Sequence, residues 1–518
     1  SDNYILVNKS SGKVLNAEGN TWAPDRNVGI VDFDETFSAV WTLYNTSGDD
    51  FYLRNNLGGH DLGVDGASQD GASVKTVMGG GNTSAGGGGE GEVNEEWKIE
   101  AVEEGYFSLI HKTSGKALSL SGDDVVQEGF ADLDGQKWAI HVARASREEA
   151  PNFELFGFAT QNGGTTGGEG GVEVVVSTPA EFMDAIVDPE RPKIIKISGT
   201  IDLNTINTGD WTNPHRNQWG NRVVGTGGGP SIRPSGDLSL IGIGNDAEIR
   251  GIELRLGPSD GSADDPKEGN YIVRNIKFTQ DAFRSEQTAA NISETAIILS
   301  SRVGNVWIDH CEFEDHPDHP DPDGGIDIHS GAKYITISWN IFNKGKVNLW
   351  GSDNVGEFDD PQGSGWLTAH HNWWPVPQPN LGTASRTPLM MLNRIHLLNN
   401  YWESEYGGVV RGRVENGGDW VDATHLLEEG NYKSSNTRGV AISRDVVIDY
   451  ANMWGEWDIK NSLHRRRNWR PGNAEWEQIN GGINWDPAQE YDYRANHALN
   501  VPELVLTHAG RGRGPFAE

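Results

Sequence analysis

Four short segments decide the fold of this chain, because each places an asparagine within two residues of an aromatic side chain: Ile337-Ser-Trp-Asn340-Ile-Phe342, Ala369-His-His-Asn372-Trp-Trp374, Leu397-Leu-Asn-Asn400-Tyr-Trp402 and Glu429-Gly-Asn431-Tyr. The asparagines are 32, 28 and 31 residues apart, a spacing typical of solenoid repeats. In a parallel β-helix equivalent residues line up from coil to coil, so these asparagines are expected to form a ladder of hydrogen bonds. Val306-Trp-Ile-Asp-His-Cys311-Glu-Phe313 has the same register, which predicts that Cys311 is a small buried member of the ladder with a structural role.

A second repeat fills residues 1–150 and has three copies. They begin with Tyr4-Ile-Leu-Val-Asn-Lys-Ser-Ser-Gly12, Phe51-Tyr-Leu-Arg-Asn-Asn-Leu-Gly-Gly59 and Phe107-Ser-Leu-Ile-His-Lys-Thr-Ser-Gly115, and they end at Trp41, Trp97 and Trp138. Because no copy can bury its apolar face alone, three copies predict one closed unit with pseudo-threefold symmetry. The glycine-rich tract Gly79–Gly89 lies inside the second copy, and we interpret it as a surface loop.

Length, composition and charge limit the possible classes of protein. A chain of 518 residues favours two domains. Its 67 glycines and 36% apolar residues suit an all-β protein with many tight turns. The net charge of −33 argues against a nucleic-acid partner, and no apolar run approaches the roughly 20 residues that cross a bilayer. The single cysteine excludes an intrachain disulfide.

Between about residues 155 and 435 the chain resembles the pectate lyase family. The motifs that carry this resemblance occur in the family's order: Thr165-Thr-Gly-Gly-Glu-Gly-Gly171, Trp307-Ile-Asp309-His310-Cys311, Asp323-Gly-Gly-Ile-Asp327-Ile, Tyr334-Ile-Thr-Ile-Ser-Trp-Asn340, Lys346-Val-Asn-Leu-Trp-Gly351, Arg386-Thr-Pro388 and His396-Leu-Leu-Asn-Asn400-Tyr. The resemblance implies a right-handed parallel β-helix and a secreted, Ca²⁺-dependent lyase. The implied substrate is an acidic plant or algal polysaccharide such as polygalacturonate. A cleaved signal peptide is compatible with the start at Ser1.

The threefold repeat of residues 1–150 ends in Gln136-Lys137-Trp138, and it resembles the ricin-type β-trefoil family, whose signature is Gln-x-Trp. That resemblance implies a carbohydrate-binding module, although a spacer remains an alternative. The predicted organisation is therefore all-β, with a trefoil over residues 1–145 and a catalytic β-helix over residues 150–518. Residues after about 440 lie outside the lyase resemblance, and we expect a C-terminal extension that packs along the β-helix or caps it. The chain is expected to be a monomer without membrane partners.

Asp323 and Asp327 are the first candidate metal ligands. Two carboxylates four residues apart, at a glycine-containing turn that enters a strand, can point into one groove, where hard oxygen donors suit Ca²⁺. By resemblance, these positions ligate the calcium that bridges the enzyme and the substrate carboxylates. The family has an additional Asp where this chain reads Glu294-Thr295-Ala296-Ile297, so Glu294 is the nearest substitute for the third ligand.

The resemblance also supplies the catalytic residues. Lys346 matches the family's substrate-binding lysine, and Arg386 matches its catalytic arginine, which acts as the base. Because a guanidinium ordinarily stays protonated, calcium and Lys346 would have to favour its neutral form by repulsion. The family places a second arginine where this chain has Met391. The candidates to replace it in substrate binding are Arg394, Arg411 and Arg413; the alternative is a preferred polymer that is partly esterified or is not plain polygalacturonate.

Two other functions remain open at this stage. A β-helix can carry an inverting polygalacturonase, in which Asp323 and Asp327 would act as general acid and base. A non-catalytic polysaccharide-binding protein is the second alternative, because the chain lacks the family's Asp before Ala296 and its second arginine at 391. The Lys346 and Arg386 motifs favour elimination.

Overall fold

The structure is a computed structural model, and its described residues fall into two compact units, one within Ser1–Glu148 and one within Glu149–Lys433, Thr437–Ser462 and Arg470–Glu518. In the part of the chain that the structure describes, no helix is both long and apolar enough to cross a membrane. The described residues are 3–19, 25–56, 60–64, 69–77, 95–145, 150–188, 190–205, 231–234, 236–257, 269–280, 295–300, 303–315, 324–329, 332–344, 348–351, 365–376, 386–390, 392, 394–403, 409–410, 413–416, 419–422, 425–433, 457–460 and 487–517.

The first unit is built from antiparallel strands that join into one sheet. Its described strands are β1 (Asn3–Asn8), β2 (Val14–Ala17), β3 (Val28–Val31), β4 (Trp41–Ser47), β5 (Asp50–Asn55), β6 (Asp61–Val64), β7 (Ala72–Val77), β8 (Trp97–Glu103), β9 (Tyr106–His111), β10 (Ala117–Ser121), β11 (Asp124–Glu128) and β12 (Trp138–Val142). β1 pairs along its length with β12, so the ends of this unit close on each other.

The threefold repeat of the first unit is visible in its buried tryptophans. Trp41, Trp97 and Trp138 are fully buried. Each indole Nε1 donates a hydrogen bond to a leucine carbonyl at the equivalent place in its own repeat, over 2.9, 2.8 and 3.1 Å respectively. These acceptors are the carbonyls of Leu15, Leu62 and Leu118. The indole N–H is thus satisfied inside the core, as a buried donor requires.

The second unit is a parallel β-helix, as the spaced asparagines predicted. Its strands are β13 (Val172–Val176), β14 (Lys193–Ile197), β15 (Thr200–Asp202), β16 (Ser231–Ile232), β17 (Leu238–Gly242), β18 (Glu248–Arg250), β19 (Glu253–Leu256), β20 (Gly269–Arg274), β21 (Lys277–Gln280), β22 (Ile297–Leu299), β23 (Gly304–Asp309), β24 (Glu312–Asp315), β25 (Ile326–Ile328), β26 (Lys333–Ser338), β27 (Ile341–Asn343), β28 (Asn348–Trp350), β29 (Trp366–His370), β30 (Trp373–Trp374), β31 (Leu389–Met390), β32 (Arg394–Leu398), β33 (Tyr401–Trp402), β34 (Val409–Val410), β35 (Arg413–Asn416), β36 (Asp419–Asp422), β37 (His425–Glu429), β38 (Tyr432–Lys433) and β39 (Trp457–Lys460). Its α-helices are α1 (Pro179–Val187) and α2 (Val501–His508).

Three parallel sheets form the walls of the β-helix, and consecutive strands of one coil belong to different sheets. Sheet 1 has the order β16-β19-β22-β25-β28-β31-β34, sheet 2 the order β13-β14-β17-β20-β23-β26-β29-β32-β37-β39, and sheet 3 the order β15-β18-β21-β24-β27-β30-β33-β38. Each strand therefore stacks on its counterpart from the previous coil, about 4.8 Å away.

The predicted asparagine ladder is confirmed. Asn340, Asn372 and Asn400 are fully buried, and each backbone N–H donates to the Oδ1 of the next asparagine over 2.8–3.0 Å. Cys311 begins the ladder, because its N–H donates to Asn340 Oδ1 over 2.8 Å. Burial raises the pKa of the Cys311 thiol, which keeps it protonated and supports its structural role.

Aromatic side chains two residues beyond the ladder fill the interior of the β-helix. The rings stack from coil to coil with centroids 5.5, 5.1, 5.1 and 4.7 Å apart and interplanar angles between 5° and 19°. The stack consists of Phe278, Phe313, Phe342, Trp374 and Trp402. Because the asparagines fix the register, each coil presents its large ring at the same depth.

The described ends of the β-helix chain also contribute to its packing. In α1, Phe182, Met183 and Ile186 are fully buried in the core, and the helix begins with a capping box formed by Thr178 and Glu181. The C-terminal residues 487–517 also pack against the β-helix.

The C-terminal residues contact successively earlier coils. The Tyr491 hydroxyl lies 2.7 Å from Thr368 Oγ1 and 2.8 Å from His396 Nδ1. Farther along, the Gly510 N–H donates to the Trp339 carbonyl over 2.7 Å. The C-terminal segment therefore packs along sheet 2 in the direction opposite to the growth of the β-helix.

Candidate active site

Asp327 lies on the outer face of sheet 1. Its neighbours Ile326 and Ile328 are fully buried in the interior core, and side chains alternate along a strand, so the Asp327 carboxylate points away from that core. Its exposed fraction is only 8%. A carboxylate that is this deeply placed needs hydrogen bonds or a cation to compensate for lost hydration.

Thr295 supplies one of these hydrogen bonds. Its hydroxyl donates to Asp327 Oδ2 over 3.0 Å, and the Thr295 side chain is itself almost fully buried. Thr295 directly precedes Ala296, in the segment where the family carries its additional aspartate. The structure thus places a neutral hydroxyl beside Asp327 at this position of the chain.

Arg386 lies three residues before β31 (Leu389–Met390), which is two strands from the Asp327 strand β25 in sheet 1. Its carbonyl accepts a 2.8 Å hydrogen bond from the backbone N–H of Asn348. Arg386 has a φ of +55°, in the left-handed region that is unfavourable for residues with a Cβ. Such strained backbone occurs preferentially at functional sites, where the surrounding structure holds it.

Asn348 connects the two candidate residues. Its Oδ1 accepts a 3.0 Å hydrogen bond from the N–H of Ile326, next to Asp327, while its own N–H donates to the Arg386 carbonyl. Asn348 is fully buried. Asn348 therefore links both neighbours, through its side-chain oxygen on the Ile326 side and through its backbone N–H on the Arg386 side.

The other predicted site residues fall into two groups. Lys346, Asp323, Glu294 and Arg411 lie outside the described residues, and of Arg413 only the backbone position in β35 is described. Arg394 is described, but it belongs to β32 of sheet 2 and not to sheet 1.

The Arg394 side chain contacts a carboxylate and an aromatic ring. Its Nη1 lies 3.2 Å from Glu490 Oε1, and its guanidinium lies 4.9 Å from the ring centroid of Trp366. The structure therefore does not bring Arg394 onto the sheet that carries Asp327 and Arg386.

Two residues of the site were not assigned from the sequence. In the sequence, Thr295 is recognisable only as a departure from the family. Asn348 lies inside the Lys346 motif, and the motif predicts no role for it. The available signal for Asn348 was its place directly before an apolar strand residue, where a buried amide can bridge neighbouring coils.

The donors that the structure describes around Asp327 suit a hard cation. One carboxylate and one hydroxyl offer oxygen only, which fits Ca²⁺ better than metals that prefer nitrogen or sulfur. Among the described residues, no group of three or more His, Cys, Asp or Glu side chains could hold a metal. Asp327 is thus the described member of the predicted ligand set.

The sequence of this chain is similar to those of known proteins. A sequence profile described as pectate lyase matches residues 142–445. Pectate lyase A of Emericella nidulans is 30% identical over 372 residues, which cover 71% of this chain and 88% of that protein. Pectate trisaccharide-lyase of Bacillus licheniformis is 26% identical over 366 residues, which cover 70% of this chain and 87% of the relative.

A solved structure is similar as well. The pectate lyase of Bacillus sp. N165 in complex with trigalacturonate is 24% identical, with a TM-score of 0.48. The match covers 70% of this chain and 99% of that structure.

Proposed function

This chain belongs to the pectate lyase family, and on that premise we propose that it cleaves pectate or a related polyuronate by β-elimination. The products are oligosaccharides that end in a 4,5-unsaturated uronate. The observation that carries the proposal is that Asn348 of strand β28 is hydrogen-bonded both to the residue before Asp327 in β25 and to Arg386, three residues before β31 of the same sheet. The closeness of Asp327 and Arg386 along sheet 1 supports an acidic ligand group and a cationic group that act on one bound sugar chain.

Elimination requires two changes at one uronate residue. A base removes the proton from C5, and the freed electron pair forms the double bond between C4 and C5 as the bond from C4 to the glycosidic oxygen breaks. The departing oxygen takes up a proton and becomes a hydroxyl group of the other fragment. The C5 proton is weakly acidic beside an ionised carboxylate, so positive charge must be brought to that carboxylate first. We assign Arg386 as the base and Lys346 as a second cation that binds the substrate.

The predicted cofactor is Ca²⁺, held by Asp327 with Asp323 and Glu294. When bound, Ca²⁺ would neutralise the uronate carboxylate and so acidify the C5 proton. The supporting observation is the set of oxygen donors around Asp327. Thr295 orients the Asp327 carboxylate by donating to one oxygen, and the metal would then share that carboxylate with a neutral hydroxyl.

We further propose that the protein acts outside the cell as a monomer. A polymer of uronates cannot cross a bilayer unaided, because charge is costly to transfer into hydrocarbon, so its depolymerase must meet it outside. Arg411 and Arg413 remain the proposed substitutes for the missing second arginine. The guanidinium of the third candidate, Arg394, already contacts the Glu490 carboxylate and the Trp366 ring.

The proposed reaction gives a direct test of cofactor and chemistry. Incubation with polygalacturonate and Ca²⁺ should release products that absorb in the ultraviolet, because the new double bond is conjugated with the carboxylate. Removal of Ca²⁺ with EDTA should lower this rate at least about 100-fold, and added Ca²⁺ should restore it. A matched incubation with Mg²⁺ after EDTA serves as the control for ionic effects.

Each alternative predicts a different result in the same assay. New reducing ends without ultraviolet absorption would identify a hydrolase, and binding without either product would identify a non-catalytic polysaccharide-binding protein. Full activity in EDTA would remove Ca²⁺ from the proposal while leaving the elimination in place.

For the first unit, we propose a ricin-type β-trefoil that binds polysaccharide. Its support is the threefold set of buried tryptophans and the buried Gln136, whose amide bonds to the Gly129 carbonyl over 2.9 Å. Deletion of residues 1–145 should weaken adhesion to an insoluble polysaccharide about tenfold or more, because a second binding unit adds avidity. Turnover of a soluble substrate should stay within about twofold, and unchanged adhesion would make the unit a spacer.

A further inference from the structure

Arg255 lies in the same row of sheet 1 as Asp327. Arg255 of β19 is in register with Ile298 of β22, and Ile298 is in register with Asp327 of β25. The neighbours of Arg255 in β19, Leu254 and Leu256, belong to the interior core, so Arg255 projects from the outer face. Two strand spacings separate it from Asp327, a distance of about 10 Å.

The guanidinium of Arg255 is only partly used within the described structure. Its Nε donates to Glu253 Oε1 over 2.5 Å, and its side chain is 32% exposed. Among the described residues, no further hydrogen bond of its guanidinium is found. A nearby arginine shows the contrast: Arg250 binds both oxygens of Glu248, over 3.0 and 3.1 Å. Within the described part of the chain, the two terminal nitrogens of Arg255 thus remain available to a further acceptor.

Two arginines lie close together at this end of sheet 1, and one of them, Arg255, is paired with Glu253. Arg233 is 5% exposed and donates through Nη1 to the Gly257 carbonyl and to Ser300 Oγ, over 3.1 and 2.9 Å. Gly257 and Ser300 directly follow β19 and β22, so Arg233 lies at the ends of the strands that carry Arg255 and Ile298. In a chain with a net charge of −33, such a place can attract an anionic ligand.

We propose that Arg255 binds a carboxylate of the polyuronate, at a sugar about two residues away from the one that contacts Asp327. The coil spacing of about 4.8 Å is roughly the length of one sugar ring, so an extended chain that follows the β-helix axis presents about one sugar per coil. The planar guanidinium suits a carboxylate acceptor, which it can bind through two parallel N–H groups. This inference rests on the proposed lyase function and defines a part of the substrate groove.

Arg255→Gln and Arg250→Gln form a matched pair of variants. Both remove one positive charge from a Glu-x-Arg sequence, but Arg250 belongs to β18 of sheet 3. With polygalacturonate and Ca²⁺, Arg255→Gln should raise KM about tenfold, the effect of one exposed charge-assisted contact, while kcat stays within about twofold. Arg250→Gln should match the wild type in both constants.

Three further measurements separate substrate binding from a structural role. Oligogalacturonates too short to reach Arg255 should show the same KM for Arg255→Gln and the wild type, whereas longer ones should not. High salt should reduce the difference between them, because the contact is partly exposed. Arg255→Lys, which keeps the charge without the planar fork, should recover part of the affinity and guards against misfolding of the Gln variant.

Several outcomes overturn the inference. Wild-type KM in both Arg255 variants, or the same KM rise in Arg250→Gln, would show that Arg255 does not bind the substrate. A loss that is equally large on the shortest oligomers would also contradict it. If the wild type forms no unsaturated product, the lyase function fails instead, and direct binding of the variants to polygalacturonate then decides on Arg255 alone.

Discussion

Replacement of Arg386 with alanine is expected to lower kcat on polygalacturonate about 10³-fold, while KM changes less than about fivefold. The variant would lack the base that removes the C5 proton. Such proton transfer typically contributes a factor of 10² to 10⁴ to a rate. Substrate binding would persist because the other proposed cations and the acidic ligands remain. The measurement is the initial rate of ultraviolet-absorbing product, at saturating and at limiting substrate.

The Arg386→Ala substitution should leave the local backbone conformation unchanged. Arg386 holds its φ of +55° through its carbonyl, which accepts from the Asn348 N–H, and alanine retains both the carbonyl and the Cβ. The backbone strain is therefore similar in the two proteins. Arg250→Ala is the control: it removes an arginine of sheet 3 that is paired with Glu248, and it should keep kcat within about twofold. An Arg386→Ala protein with wild-type kcat would exclude Arg386 as the base.

The parallel β-helix could be predicted because its determinants repeat in the sequence. Asn340, Asn372 and Asn400 each satisfy backbone groups of neighbouring coils, so the same residue is needed at the same place in every coil. The spacing of the residues is then a direct record of the coil length. The tryptophans of the first unit repeat for the same reason, since each closes an equivalent hydrogen bond.

The candidate site was only partly predictable, because its geometry depends on contacts between different coils. The hydroxyl of Thr295 reaches Asp327 across 32 residues of sequence, and nothing in the local sequence specifies that partner. Arg255 carries no recognisable motif, and its relation to Asp327 follows only from the strand register. A sequence read segment by segment cannot supply such pairs.

The same limit applies to the C-terminal residues. His371 Nε2 lies 2.8 Å from Asn496 Oδ1, a contact that joins residues 125 apart. Burial lowers the pKa of His371 to about 4, so the ring is neutral at neutral pH. The sequence predicts that this tail packs along the β-helix, but it does not predict which residues make the contacts. The tail has no repeat from which its alignment with the coils could be inferred.

Replacement of Asn372 with alanine should lower the free energy of unfolding of the β-helix by about 4 kcal/mol, since several buried polar groups lose their partners at once. The Asn372 amide accepts from Asn340 N and Nδ2, both over 3.0 Å, and donates to the Ile337 carbonyl over 2.9 Å and to Asn400 Oδ1 over 3.0 Å. Alanine provides none of these groups and leaves a small void. Denaturant unfolding, together with hydrogen exchange of peptides from both units, measures the effect.

Asn343→Ala tests whether the loss belongs to the ladder and not to asparagine in general. Asn343 lies three residues after Asn340 in the same coil, is only partly buried, and makes one 3.3 Å contact with Glu314. Its replacement should change the free energy of unfolding by less than about 1 kcal/mol. Peptides from residues 95–145, which belong to the first unit, should keep their protection in both variants and so serve as an internal reference. Equal destabilisation by the two substitutions would mean that the buried ladder contributes no more than an ordinary polar contact, and the β-helix would then depend chiefly on its stacked aromatic core.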